Sequence, residues 1–197
     1  MHEKLGDAAL DRIFREARTA NGYTDAPFTE ADAHAIWELV KFGPTSANQL
    51  PARFIWCLSQ ESRDRLAAHA SGTNAPKIKA APAAVIVAMD ENFHEHLPEL
   101  FPHTDAKSWF EGNLALRQAS AMRNATLQGA YLIIAARALG FDVGPMSGFN
   151  NAALDADFFA DTPQIKSNFI ATLGVGDPAT IFPRSPRPPF ARFNSIA

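Results

Sequence analysis

Apolar residues near the start of the chain recur at helical spacing. Leu10, Ile13, Phe14 and Ala17 fall on one face and predict a helix over about residues 7–19. A second stripe, Ala33, Ile36, Trp37 and Val40, follows Thr29 and Asp32, whose separation is that of a helix-starting box. Gly43-Pro44 stops that helix. The period then changes. Arg53 to Leu58 predicts a short strand, and Glu61 to His69 a helix. Ala83 to Met89 is an unbroken apolar run entered after Pro82, which suits a buried central strand. Residues 91 to 112 show no period and carry His94, His96, His103, Trp109 and Phe110. The longest helix follows, over about 113–139. It is apolar nearly all round near Ala130 to Ala138, so burial is expected there, and Gly140 ends it. Residues 151–159 predict a short helix and Ser167 to Gly176 a third strong strand. Beyond Asp177-Pro178, prolines at 183, 186, 188 and 189 keep the tail extended and out of any central sheet.

Helices and strands interleave, but only three strands are strong. The pattern predicts an α+β fold, a small mixed, mainly antiparallel sheet packed by helices. One domain spans 1–197, with 180–197 as an extended tail that must rest on a surface, a second copy of the chain being a natural one. A length of 197 residues with 47% hydrophobic content suffices for one good core. The net charge of −3 is too mild to argue for nucleic acid or an anionic membrane as partner. No apolar run approaches the roughly 20 residues of a spanning helix. The only cysteine, Cys57, has no internal disulfide partner, and MHEKLGDAAL has no apolar signal core. The expectation is a soluble cytoplasmic protein, with Cys57 as a buried structural residue.

Four stretches carry candidate chemistry. Glycines 140, 144 and 148 follow a helix and lack the G-x-G-x-x-G spacing, so they predict no dinucleotide fingerprint. They read either as a helix cap, short strand and turn, or as a loop whose backbone N–H groups can approach a flat ligand. The HEH run at 94–96, with His103 and Asp105 nearby, matches no metal-ligand spacing and reads as a solvated loop. No metal site is expected, and no G-x-S-x-G nucleophile elbow occurs. Arg18, Arg184 and Arg187, taken singly, read as a helix-end cation and solubilising charges. Taken together with Thr19, GPTSAN and GPMSG, they supply cations for a phosphate, hydroxyls and a carboxamide for a polyol and a polar ring edge, and backbone amides for a planar ring. That is the inventory of a flavin mononucleotide site.

ARTANGY (17–23), KFGPTSANQLPARF (41–54), FPHTDAKSWF (101–110), RALGFDVGPMSGF (137–149) and SNFIATLGVGD (167–177) resemble, in order and spacing, the flavin-dependent nitroreductase family. Within it they most resemble the branch that includes the malonic semialdehyde reductase of pyrimidine breakdown. The resemblance covers essentially the whole chain. It implies an α+β homodimer whose C-terminal tails embrace the partner, with two FMN molecules in the interface. It carries Arg18, Thr19 and Asn21 to the opening motif near the phosphate and ribityl chain. Thr45, Ser46 and Asn48 match the segment reaching the flavin from the other chain. Pro145, Met146, Ser147 and Gly148 match the loop under the isoalloxazine, and Arg184 and Arg187 the late basic pair. Three departures stand out: Asn21 where many relatives carry a second basic residue, Leu50 for a glutamine, and Ser147 for a glutamate. No side chain is assigned as catalytic; flavin N5 carries the chemistry. The implied activity is ping-pong hydride transfer from NADH or NADPH to a small-molecule acceptor such as 3-oxopropanoate. The alternatives are a broad nitroreductase or quinone reductase, or a flavin-binding protein without turnover.

Overall fold

The computed structural model describes residues 3–197. Its helices are α1 (Asp7–Leu10, continued by a π-helical segment Asp11–Arg15), α2 (Glu30–Val40), α3 (Gln60–Ala67), α4 (Ala75–Ala80), α5 (Leu97–Leu100), α6 (Leu114–Ala138), α7 (Asn151–Phe158) and α8 (Phe190–Phe193). Its strands are β1 (Ala52–Cys57), β2 (Ala83–Asp90), β3 (Asp142–Met146) and β4 (Ile165–Gly174). The strands form one sheet in the order β1-β2-β4-β3. Every strand pairing is antiparallel, and among the described residues the only parallel element is a single bridge from Thr19 to Val143. The expected mixed sheet is thus antiparallel throughout its four strands. No helix is long and apolar enough to cross a membrane among the described residues.

The alternation of side chains along β2 builds two cores. Val85 and Val87 join Ala171, Leu173 and Val143 under α2 and α6. Ala84, Ile86 and Ala88 point the other way, toward Leu66 of α3, Ile78 of α4 and Leu154 of α7. Both faces of β2 are covered, which is why its sequence is apolar at every position except the last. A third cluster packs Phe93, Leu97 and Phe110 onto Ala121 and Ala125 of α6. Cys57 lies 1% exposed in the second core, and burial pushes its thiol pKa up to about 11.

Local chemistry sets most boundaries. Thr29 accepts from the Asp32 N–H, and Asp32 accepts from the Thr29 N–H, the predicted box. Asn113 caps α6, and Gly140 follows it in the left-handed region (φ 96°). Two expectations are corrected. The first helix ends at Arg15, not near residue 19. The Arg184 guanidinium bonds the carbonyls of Arg15 and Ala17 at 2.8 and 3.2 Å, and Thr19 bridges to β3, so the helix does not continue past Arg15. Over 130–138 helix α6 buries Leu132, Ala135 and Ala136 as expected, but Ala130, Tyr131 and Ala138 are exposed, so the helix is not covered all round. The tail is extended as far as Pro189, then turns once as α8.

Helix α6 crosses the sheet closely at Gly129. A Cβ there would lie 2.6 Å from the Phe169 ring and 3.2 Å from Val87. Gly129→Ala is expected to destabilise, because overpacking of about 1–3 kcal/mol exceeds the gain of about 1 kcal/mol in helix propensity. Thermal unfolding should show a melting temperature lower by a few degrees, at about 2–4 °C per kcal/mol for a chain of this size. An unchanged or higher value would mean that the crossing is not tight.

Candidate functional site

The sequence-predicted residues fall into three groups. Arg18, Thr19, Asn21, Arg184 and Arg187 line one cavity of about 400 Å³ together with Lys77, Arg137, Phe182 and Ser185. Five cations face this space and no carboxylate lines it. They come from the stretch just after the first helical segment, from α4, from the end of α6 and from the tail. Arg18 bonds the Phe182 carbonyl and so ties the opening segment to the tail. Arg187 bonds the carbonyls of Ser185 and Pro186 at 2.9 and 3.3 Å. Arg137 donates to the Ile13 carbonyl at 3.0 Å, but its buried Nε has no partner. Burial lowers its pKa most; Asp142 pulls it up, and Arg12 and Arg184 push it further down. Such a cation gains from a bound anion.

Pro145, Met146 and Ser147 form a second surface, an apolar shelf with Thr126, Ala130 and Ile133 of α6 and Phe169 of β4. The shelf adjoins the cavity through β3. Thr19 bridges to Val143, and a Cβ on Gly144 would lie 2.8 Å from the Ala20 carbonyl. Tyr23 backs this junction with its hydroxyl 2.7 Å from Thr172 Oγ1. Gly148 is held from outside. Its carbonyl accepts from the Ser71 N–H at 2.9 Å and from Asn74 Nδ2 at 3.1 Å. A Cβ on Gly148 would sit 2.8 Å from that carboxamide, so the loop can pass only without one. Asn74 immediately precedes α4, and Lys77 lies three residues on, facing the basic cavity. Helix α4 therefore touches both the shelf loop and the cation cluster.

Thr45, Ser46 and Asn48 form a third group. Within one chain they line neither the cavity nor the shelf. They sit on the short loop before β1, between α6 and α5, and Asn48 Nδ2 donates to the Leu100 carbonyl at the end of α5 at 2.8 Å.

Lys77, Arg137 and Asn74 were not among the sequence-predicted residues. Only the charge of the first two marked them, and the chain has 18 Lys and Arg residues. The reading of the HEH run as a solvated loop is corrected at its first residue. His94 is buried at 4% exposure, with Nε2 3.3 Å from Arg117 and Nδ1 unpartnered. His96 stays exposed beside Asp90.

Comparisons with known proteins give the family. The model of the "Nitroreductase family" matches residues 14–177. The chain belongs to the nitroreductase family. A protein of Xanthomonas oryzae pv. oryzae named "Putative NADH dehydrogenase/NAD(P)H nitroreductase" is 57% identical over 196 residues, covering 98% of this chain and all of the relative. A Burkholderia lata protein with the same leading name is 58% identical over 183 residues, covering 93% of each chain. Among solved structures, a nitroreductase-fold chain from Bacillus subtilis superposes with a TM-score of 0.88 at 22% identity, covering 98% of this chain and 100% of that one. A family member from Exiguobacterium sibiricum, solved in complex with FMN, superposes with a TM-score of 0.84 at 18% identity, with full coverage of both chains. At these identities the likeness establishes the fold.

His94 gives a pH prediction. Burial, then Arg117, lowers its pKa below the ordinary 6.5, against a smaller upward pull from Glu95. The unfolded chain therefore binds the proton more readily, and stability present above about pH 6.5 is lost as the pH falls through the folded value. The Asp157 carboxyl, held at about 2 by Arg65 and then His69, contributes its loss only below its ordinary 3.8. His94→Gln is expected to flatten the fall in melting temperature between about pH 7 and pH 5. Parallel slopes for the two proteins would refute this.

Proposed function

We propose that this chain is an FMN-dependent NAD(P)H oxidoreductase that passes electrons to a small oxidised acceptor. The observation that carries the reading is the basic cavity free of carboxylates, linked by the Thr19–Val143 bridge to the strand that ends in the apolar shelf at Pro145–Ser147. A phosphate suits the cavity, where Arg18, Arg184 and Arg187 stand ready and Arg137 retains an unpartnered buried N–H. A flat ring suits the shelf, where Phe169, Met146 and Ile133 exclude water. Bound FMN supplies hydride acceptance from NAD(P)H and donation to the acceptor. This chain's residues supply binding, orientation and charge.

Lys77 answers the question raised by Asn21. Asn21 brings no cation to the opening segment, yet a reduced ring needs positive charge beside it. Lys77 faces the basic cavity from α4, three residues after Asn74, which holds the loop at Gly148. We assign it the role of balancing that charge.

A homodimer completes the reading. Leu116, Leu127 and Tyr131 leave an apolar stripe on α6, with Met122 exposed on another side, and Phe182, Phe190, Phe193 and Ile196 are 62–90% exposed on the tail. Such an area asks for a covering surface, and a second copy supplies one. In that assembly Thr45, Ser46 and Asn48 would serve the partner's flavin. For the acceptor, the motif resemblance favours a small aldehyde such as 3-oxopropanoate. The names of the relatives favour nitroaromatic compounds instead.

The first test is an absorption spectrum of the purified protein, before and after NADPH or NADH under anaerobic conditions. Flavin bands that bleach support an oxidoreductase; bands that persist point to a carrier; none, even after incubation with FMN, ends the reading. Initial rates on 3-oxopropanoate against a nitroaromatic then choose the acceptor. Lys77→Met is expected to retain FMN through the arginines while slowing reduction by about tenfold or more. Reduction at the wild-type rate would remove Lys77 from its assigned role.

A further inference from the structure

Three non-glycine residues of the loop before β1 lie in the left-handed region. Ala47 has φ 49°, Asn48 φ 48° and Leu50 φ 39°. L-residues resist that region, and neither Ala47 nor Leu50 has the short polar side chain that eases it in asparagine. Such a path persists only where its surroundings over-determine it.

Here the surroundings are a buried polar ring on α6. Asn124 Oδ1 accepts from the Ser46 N–H at 2.8 Å, and Asn124 Nδ2 donates to the Ser120 carbonyl at 2.9 Å. Ser120 Oγ donates to Gln49 Oε1 at 3.1 Å, and Gln49 Nε2 donates back to the Ser46 carbonyl at 3.0 Å. The ring closes on itself. Its side chains are 0–6% exposed: Gln49 0%, Asn124 2% and Ser120 6%. One turn further along, Gln128 Oε1 accepts from the Ala52 N–H at 2.9 Å and fixes where β1 begins. Ser120, Asn124 and Gln128 recur every fourth residue, so one face of α6 grips the loop. Ser46 is held by both backbone groups while its side chain stays exposed.

We infer that Asn124 is a positioning residue for the cofactor. It fixes the backbone of Ser46 and, through the ring, the left-handed turns at Ala47, Asn48 and Leu50, which leave Ser46 and Asn48 exposed and set the Thr45 hydroxyl against the Leu50 N–H at 3.2 Å. The inference rests on the proposed FMN reading. It adds a group that touches no ligand and sits on the same helix as Thr126, Ala130 and Ile133 of the shelf. The helix that floors one site thus shapes the loop offered to the other.

The test is FMN affinity of the apo-protein by fluorescence titration, with circular dichroism and sedimentation as controls for fold and assembly. Asn124→Leu removes the acceptor for the Ser46 N–H at similar volume. The expected result is an FMN dissociation constant raised by about tenfold or more, with native dichroism. Adding Ala47→Gly to that variant should recover part of the affinity, because glycine adopts the left-handed conformation unaided. Recovery of affinity with no accompanying rise in melting temperature separates positioning from a purely structural role. If Asn124→Leu does not fold, Ser120→Ala opens the same ring more gently and should raise the constant by about threefold or more. Wild-type affinity in a folded Asn124→Leu or Ser120→Ala protein, or weak binding that Ala47→Gly leaves untouched, overturns the inference. A wild-type protein that takes up no FMN would overturn the parent reading and this one together, which the first titration separates from the rest.

Discussion

Helix α6 can approach the sheet only where residue 129 carries no side chain, and the site geometry follows from that approach. With Phe169 and Val87 against its backbone, the helix sits low over β2 and β4. Its depth brings Thr126, Ala130 and Ile133 level with the Pro145–Ser147 shelf. The same depth sets the polar side chains of its middle turns against residues 45–52. A helix held further out would loosen both surfaces at once.

The basic cavity illustrates a different economy. No single segment of the chain is strongly basic, and the net charge is −3. Yet four stretches far apart in sequence place Arg18, Lys77, Arg137, Arg184 and Arg187 around one space. Mutual repulsion among them is eased by carbonyls. Phe182, Ile13, Arg15, Ala17, Ser185 and Pro186 each give a backbone oxygen to one of these arginines. Peptide dipoles screen the cations without neutralising them, so the cluster keeps its attraction for an anion.

Much of the fold was legible in the chain because local chemistry and tertiary structure agree there. The Thr29–Asp32 box, the apolar run of β2 and the stop at Gly140 all fall where periodicity and capping put them. The failures share a cause, which is that distant residues decide the local outcome. The first helix looked continuous to residue 19, but Arg184, more than 160 residues later, takes the carbonyls of Arg15 and Ala17. His94 looked solvated beside polar neighbours, but Phe93 draws the turn into the third core and carries the histidine inside. Helix α4 is six residues long and opens with a proline turn, too short for a periodic signal, so Lys77 had no element to belong to. The candidate site was legible as residue types in order. Its grouping was not, since Thr45, Ser46 and Asn48 stand apart from the cavity and shelf within one chain.

Cys57 ends β1 with its sulfur enclosed by the second core. Its thiol is both hidden and strongly protonated, so two independent barriers protect it from an electrophile. Both fall together when β1 and α3 part, and the chain holds no second cysteine to confuse the signal. The residue is therefore a built-in clock. The rate at which a small alkylating reagent consumes the single thiol reads how often this edge of the sheet opens, in the native protein and without an added label.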